Sequence, residues 1–87
     1  MLTPSELCDE LQIGGDLLDR WIAIGWLNPA TEGGTACYAD IDMARARLIL
    51  ELSTDFEVNE QGIGIIIDLI DQIHGLRFAL RQVLDMR

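Results

Sequence analysis

The sequence predicts a mainly α fold in which two short helices, a small β wing and a long C-terminal helix follow one another. Three observations indicate this order. A capping sequence and a pair of glycines delimit two short helical segments within the first 25 residues, and a glycine-rich turn lies in the middle of the chain. Apolar residues then recur at helical spacing over the last third. A chain of 87 residues forms one domain with a modest core.

The first two helices are indicated by their ends. Thr3, Pro4 and Glu6 fit the N-cap, first and third helical positions of a capping box. The glycines at 14–15 interrupt the helical pattern and predict a turn, and a second helix is expected at about 16–24. The residues expected to be buried by these two helices are Leu7, Cys8, Leu11, Leu17, Leu18, Trp21 and Ile22.

A small hairpin, or wing, is predicted between the second and third helices. Gly25 is suited to end the second helix, a turn is expected at 31–35, and residues 36–38 return as the second strand. Asp40 begins a third helix that is expected to end near Ser53. The apolar face expected for this helix consists of Ile41, Ala44, Leu48 and Leu52.

A long fourth helix is predicted from about Glu60 to Met86, with Asn59 as its N-cap. At 1.5 Å per residue it is about 37 Å long. Its apolar stripe is too wide for one contact surface, so one side can close the core while the other pairs with a second copy. We favour this homodimer over a single buried core helix, with 1–58 as the helix-turn-helix and wing domain and 59–87 as the dimerisation helix of one structural unit. The expected dimer interface consists of Ile66, Ile70, Ile73, Leu76, Leu80 and Leu84.

The chain is strongly acidic. Fifteen Asp and Glu residues face six basic residues, all of them arginine, and the net charge is −9. Residues 1–44 contain eight of the carboxylates and a single base, Arg20, and therefore carry −7. Affinity for nucleic acids comes mostly from the neutralisation of phosphates by lysine and arginine. The composition thus argues against DNA or RNA binding and favours a basic protein partner or simple solubility.

Other classes of function find little support. There is one histidine, His74, and no recognisable catalytic or phosphate-binding motif, so we expect no enzyme, no cofactor and no metal site. Cys8 and Cys37 are too few for a disulfide framework and are expected to be two reduced thiols rather than one disulfide. No signal peptide and no membrane span is predicted. We therefore expect a cytoplasmic protein.

The order of these elements resembles a known family. The helix-turn-helix, the exit Gly25–Pro29, a wing ending in Tyr38 and an Asp-led helix are similar to the MerR-type winged domain. The segments Phe56–Ile63 and Ile67–Ile73 resemble the CbpM family of chaperone modulators, and this resemblance covers essentially the whole chain. It implies a MerR-like winged helix-turn-helix with a small β wing and a long C-terminal helix.

The resemblance also implies a function. CbpM-like proteins bind and inhibit the J-domain of a CbpA/DnaJ-like co-chaperone, whose basic helix otherwise engages DnaK. The acidic residues of this chain suit such a partner, although charged helix faces are usually only solvated, and both interpretations stay open. Trp21 is expected in the core, and Trp26 is either a core residue or a binding anchor. The partner-binding residues that we expect are Asp9, Glu10, Asp16, Asp19, Trp26 and Glu32.

Two alternatives remain at this point. A MerR-like DNA-binding transcription regulator would use its second helix and its wing to contact DNA. An adaptor with another protein target would share the acidic surface but not the J-domain. Neither alternative requires a catalytic residue.

Overall fold

The computed structural model describes residues 1–86 and shows the expected order of elements. The helices and strands are α1 (Pro4–Leu11), α2 (Gly15–Ile24), β1 (Ala30–Glu32), β2 (Thr35–Cys37), α3 (Asp40–Thr54) and α4 (Glu60–Asp85). The predicted fold class, mainly α with a small antiparallel wing and a long last helix, is confirmed. The chain divides into two compact units, Met1–Glu57 and the part from Val58 onward. None of the described helices has the length and apolar character that a membrane crossing needs.

The ends of α1 and α2 are formed by the predicted residues. The Thr3 hydroxyl accepts a hydrogen bond from the Glu6 N–H at 3.2 Å, and the Glu6 carboxylate accepts one from the Thr3 N–H at 2.9 Å. These bonds satisfy backbone donors that the first turn of a helix leaves open. At the end of α2, Gly25 has a φ of 94°, and the Trp26 N–H donates to the Trp21 carbonyl at 2.9 Å. This left-handed glycine ends the helix as predicted.

The wing is a two-stranded antiparallel hairpin. Ala30 lies opposite Cys37, and the two strands are joined by Gly33 and Gly34, whose φ angles are 59° and 82°. Positive φ at both positions is typical of the two-residue turn that matches the twist of a hairpin. The turn predicted at 31–35 is therefore too wide, because two glycines are sufficient and their neighbours pair across the strands.

An isolated β-bridge ties the N-terminus to the end of the wing. The Leu2 N–H donates to the Tyr38 carbonyl and the Tyr38 N–H donates to the Leu2 carbonyl, each at 2.8 Å. The Tyr38 side chain is 1% exposed. The bridge consequently holds Tyr38 beside the residues that begin α1.

The core of the first unit is built by residues from α1, α2, the α2 exit and α3, together with Tyr38 after the wing. Leu17 was expected in this core but is 39% exposed, whereas its neighbour Leu18 is buried. Because successive helical residues turn by about 100°, the orientation that buries Leu18 and Trp21 carries Leu17 toward solvent. Cys8 and Ile22 are half-buried. The buried apolar residues of this unit are Leu7, Leu11, Leu18, Trp21, Trp26, Leu27, Tyr38, Ala46 and Ile49.

The buried face of α3 differs from the predicted one. Ile41 is 68% exposed and Ala44 is also exposed, while the other two predicted positions are half-buried. The buried residues are Ala46 and Ile49. Apolar residues occupy most positions from 44 to 52, so helical spacing fits more than one face of this helix. Packing in the tertiary structure selects the face, and the sequence prediction was wrong here.

The exit from α2 belongs to the core. Trp26 is 6% exposed and Leu27 is 1% exposed. The Trp26 carbonyl accepts a hydrogen bond from Nε of Arg45, which fixes the exit to α3. Trp26 is thus a core residue rather than a partner-binding anchor, because its buried side chain presents almost no surface to a second protein.

The last helix begins at the predicted N-cap. The Asn59 side-chain oxygen accepts a hydrogen bond from the Gly62 N–H at 2.9 Å. The 26 residues of α4 make a helix about 39 Å long. Ile63 and Ile67 are buried, but every residue from 71 to 85 is exposed. The second half of α4 therefore carries its apolar side chains uncovered.

Candidate protein-binding surface

The carboxylates that were expected to bind a partner lie at exposed positions of three elements. Asp9 and Glu10 are on α1, Asp16 and Asp19 are on α2, and Glu32 is on β1. The structure brings Asp9 together with Glu10 in one shallow hollow and with Asp19 in another. Asp16 and Glu32 line neither of these two hollows. The predicted carboxylates are therefore all exposed, but the structure does not gather them into a single site.

The hollow shared by Asp9 and Asp19 is a cleft between two helices. This α1–α2 cleft has a volume of about 280 Å³, and its lining includes Pro4, Ser5, Cys8, Asp9, Leu18 and Asp19. One carboxylate comes from each helix, and the half-buried Pro4 lies beside them, while Leu18 is almost fully buried beneath the cleft.

The electrostatics of the cleft are visible at Cys8, which like Cys37 is a free thiol as predicted. Burial raises the pKa of the Cys8 thiol, and the charges of Asp9 and Asp19 raise it further. A thiol with a raised pKa stays protonated and weakly nucleophilic near neutral pH. The contribution of both carboxylates indicates a negative potential inside the cleft.

The Tyr38 hydroxyl is an unusual polar group of this region. It is buried and has no hydrogen-bond partner among the described residues. Desolvation raises the pKa of Tyr38, and the charges of Cys8, Asp19 and Asp42 raise it further. Buried hydroxyls in proteins are almost always paired. The Tyr38 hydroxyl therefore lacks a hydrogen bond among the described residues. Two of the residues that raise its pKa, Cys8 and Asp19, line the α1–α2 cleft.

Winged helix-turn-helix proteins contact DNA with the second helix and the wing. In this chain α2 carries Asp16 and Asp19 beside Arg20, and the wing, at 30–37, carries Glu32 as its charged residue. Arg20 is thus the single cationic side chain of these two elements. Since cationic side chains supply most of the affinity for phosphates, this surface lacks the main source of DNA affinity.

Two exposed apolar residues of α2 were not identified from the sequence. Leu17 and Ile24 are 39% and 37% exposed. The sequence contained the information needed to identify them, because a rotation of 100° per residue places both side chains away from the direction of the buried Leu18. They add apolar surface to a helix whose other exposed residues are mainly charged.

A second apolar face lies on α4. Among the expected interface residues, Ile66 and Ile70 are half-buried, and the other four are exposed. Ile70 is on the side of the helix that carries the buried Ile63 and Ile67, so we leave it out of the exposed face. Ile73, Leu76 and Leu80 of the expected set follow the alternating four and three spacing of a two-helix seam, and Leu69 and Val83 extend this spacing at either end. Ile66 is half-buried and the exposed Leu84 departs from this spacing, so both lie outside the exposed face. The exposed face with this spacing, the α4 stripe, consists of Leu69, Ile73, Leu76, Leu80 and Val83.

The comparison with protein families agrees with this architecture. The family described as MerR HTH family regulatory protein matches residues 2–84. No curated protein and no solved structure matches the chain. The family match includes both helices of the helix-turn-helix, the wing, α3 and nearly all of α4. This chain belongs to the MerR helix-turn-helix family of regulatory proteins.

Proposed function

We propose that this MerR-like regulator acts on a protein rather than on DNA, as a chaperone modulator. It binds the J-domain of a CbpA/DnaJ-like co-chaperone and blocks the handover of that co-chaperone to DnaK. The observation that carries the proposal is the acidic character of α2 and the wing, where Arg20 is the single cation. The resemblance of Phe56–Ile63 and Ile67–Ile73 to chaperone modulators supports the choice of partner.

The charge distribution favours a basic partner. Residues 1–44 carry a net charge of −7, and Asp9, Asp16 and Asp19 are all exposed. A duplex presents about one negative charge per 1.7 Å, so this surface and DNA repel each other. A basic helix is attracted instead, and complementary charges mainly accelerate the encounter. Binding should therefore be fast at low salt and slower as salt screens the charges.

The same proposal includes a second copy of the chain. The α4 stripe exposes five large apolar residues in a continuous row, with exposed fractions from 48% to 70%. A row this long is unusual on a monomeric protein and favours burial against another surface. Its alternating spacing suits an identical helix. We therefore place the dimer interface on the α4 stripe.

Calorimetric titration of the protein into a purified J-domain tests the proposed function. Tight binding that weakens with salt is expected. The double variant Asp16→Arg, Asp19→Arg should lower the association rate about tenfold or more. The control Asp68→Arg, Asp85→Arg changes the net charge equally on exposed positions of α4 and should have a much smaller effect. The absence of a complex at micromolar concentrations would remove the proposal.

The second candidate function is transcription regulation through DNA, which the family match itself favours. A gel-shift titration with duplex DNA from the promoter region of the gene distinguishes the two. We expect no sequence-specific complex at physiological salt. A specific complex without J-domain binding would establish the DNA function instead.

A further inference from the structure

We propose that the second apolar face of α3 is the docking surface for a basic amphipathic helix of the protein partner. The structure buries Ala46 and Ile49 of α3, which are not the residues that helical spacing predicted to be buried. The helix therefore carries two apolar faces, and only one of them belongs to the core of the first unit. The other face, the α3 strip, consists of Ile41, Ala44, Leu48 and Leu52.

The α3 strip is continuous along the helix and accessible from solvent. Ile41 and Leu48 are seven residues apart, so they point in nearly the same direction, about 80–100° around the helix from the buried Ile49. Ile41 is 68% exposed, Ala44 is exposed, and the two leucines are half-buried. The strip is about 17 Å long, and the small side chain of Ala44 leaves room for the close approach of another helix.

Carboxylates lie along one edge of the α3 strip. Asp40 and Glu51 are both exposed, and their spacing of eleven residues makes them point within about 20° of each other. Asp55, which is also exposed, follows at the C-terminal end of α3. Among the described residues of α3, Arg47 is the one exposed base, because Arg45 is half-buried and its Nε donates to a carbonyl of the α2 exit. The exposed charge of this region is thus mainly negative.

A basic amphipathic helix matches both properties of this surface. Its apolar side can pack against the α3 strip, as amphipathic helices do on other apolar surfaces. Its lysine or arginine side chains can at the same time reach Asp40 and Glu51, whereas an acidic helix would be repelled by them. Under the proposed function the occupant is the basic helix of the J-domain. That identity rests on the proposed function, but the docking chemistry does not.

The α3 strip supplies a contribution that the carboxylates of α1 and α2 lack. Complementary charges mainly accelerate the encounter, whereas the binding energy of a complex comes mostly from a few side chains that lose their contact with water. The α1–α2 cleft does not offer such a side chain, because Leu18 is almost fully buried. A second copy is a poorer occupant of the strip, since its four side chains are few beside the roughly 20–30 residues per partner of a stable interface.

The first test compares two exposed isoleucines in the full chain. Ile41→Gln removes apolar surface from the α3 strip, and Ile65→Gln makes the same change at a position of α4 that is 62% exposed and lies outside the α4 stripe. Interferometry with the chain immobilised and the J-domain in solution measures both rates. Ile41→Gln should accelerate dissociation about tenfold with a nearly unchanged association rate, and Ile65→Gln should behave as the unsubstituted chain. Both variants should keep the melting temperature, because neither side chain is buried.

A second pair of variants tests the acidic edge. Glu51→Gln removes a carboxylate beside the α3 strip, and Asp68→Asn removes the same charge from an exposed position of α4. Glu51→Gln should slow association severalfold at low salt, because the attraction of a basic helix depends on charges near its docking surface. Asp68→Asn should have a smaller effect. Equal effects of the two variants would contradict the assignment of the acidic edge.

A model peptide tests the docking chemistry without the J-domain. A helical peptide of about five turns, with leucines on one face and lysines on the other, is titrated into the full chain. The control peptide carries glutamates in place of the lysines. NMR should show that the lysine peptide perturbs the amide signals of residues 41–52, that the perturbation is weaker in Ile41→Gln, and that the glutamate peptide leaves these signals unchanged.

The outcomes separate this inference from the proposed function. If the J-domain binds but dissociates no faster from Ile41→Gln than from Ile65→Gln, the docking surface is wrong and the proposed function stands. If the lysine peptide binds the α3 strip but the J-domain does not bind, the proposed function fails and the docking surface stands. No perturbation of the strip by either ligand, or an equal one by the glutamate peptide, would overturn the inference. Loss of the dimer in Ile41→Gln, measured by light scattering, would assign the strip to a second copy instead.

Discussion

The first unit buries nine apolar side chains, whereas α4 leaves every residue from 71 to 85 exposed. Both regions are rich in apolar residues, so composition does not distinguish them. In the first unit, residues such as Leu7, Tyr38 and Ile49 have almost no remaining surface. In α4, Leu76 and Phe78 are 70% and 65% exposed. Apolar surface therefore drives folding in the first unit, and in α4 it remains available for the dimer proposed above.

Charge separates the same two regions. Residues 1–57 carry −8, whereas 58–87 carry −1 and include three of the six arginines. The first unit therefore joins a closed core to a surface that attracts cations. The α4 stripe, in contrast, offers apolar area with few charges. One chain thus presents two surfaces with different partner chemistry, which suits the proposed regulator, a dimer that binds another protein.

The largest expected effect concerns the α4 stripe. Ile73→Glu places a carboxylate in the proposed seam, where burial without a partner costs several kcal/mol. Light scattering should show a change from two chains to one. Gln82→Glu adds the same charge at an exposed position on the opposite side of α4 and should leave the dimer intact. An unchanged molar mass for Ile73→Glu would show that the stripe is not the interface.

A smaller effect is expected inside the first unit, where two isoleucines of α3 can be compared. Ile49 is 0% exposed and Ile41 is 68% exposed. Ile49→Ala should lower the free energy of unfolding by about 2–5 kcal/mol through lost burial and a cavity. Ile41→Ala should change it by about 0.5 kcal/mol or less. Chemical denaturation measures both, and equal losses would contradict the buried face of α3 described above.

Two glycines of α4 should respond with opposite signs. A Cβ at Gly62 would lie 2.7 Å from Val58 Cγ1, whereas a Cβ at Gly75 would meet nothing within 4 Å. Gly75→Ala should stabilise the helix by about 1 kcal/mol because alanine is the better helix former. Gly62→Ala should destabilise it by about 1 kcal/mol through overpacking. Thermal unfolding followed by circular dichroism checks the signs, and a gain for both variants would contradict the close packing at Gly62.

The smallest effect is a pH dependence at the start of α1. The hydrogen bond from the Thr3 N–H lowers the pKa of Glu6 below its usual value of about 4.5. The fold therefore favours the carboxylate, and this contribution is present above the unfolded pKa and lost as pH falls through the folded pKa. NMR should show the Thr3 amide signal changing in this acidic range. Glu6→Gln should remove that step, and its persistence in the variant would exclude Glu6 as the cause.

Much of the local structure could be predicted because its signals lie within a few residues of each other. Thr3 and Glu6 form a capping box within one helical turn, Gly25 ends α2, and Asn59 begins α4. Each of these helix ends depends either on a backbone N–H that needs an acceptor or on a left-handed φ. Only a few residue types meet either need, so the sequence shows where the helices begin and end. The wing turn was predicted with less accuracy, since several residues in 31–35 favour a turn and pairing decides which of them form it.

The candidate site was predicted less completely. The acidic residues were correctly expected on the surface, but Asp9 and Asp19 are ten positions apart, and no sequence pattern shows that they share a cleft. Trp26 was named as a partner-binding residue, yet the hydrogen bond of its carbonyl to Arg45 holds the α2 exit in the core. Tyr38 was known only as the end of the wing, and its unpaired hydroxyl depends on everything packed around it.

The amino-acid sequence by itself determined the order of the helices, their caps, the acidic character of the first half and the surplus of apolar residues in α4. These properties depend on neighbouring residues or on sums over residue types, so they can be inferred without knowing which segments of the chain contact each other. The tertiary structure decided that α3 buries Ile49 rather than Ile41, that Asp9 and Asp19 face one cleft, and that the Tyr38 hydroxyl has no partner. Such features arise from contacts between distant segments, where close packing selects one orientation among several that the helical spacing allows.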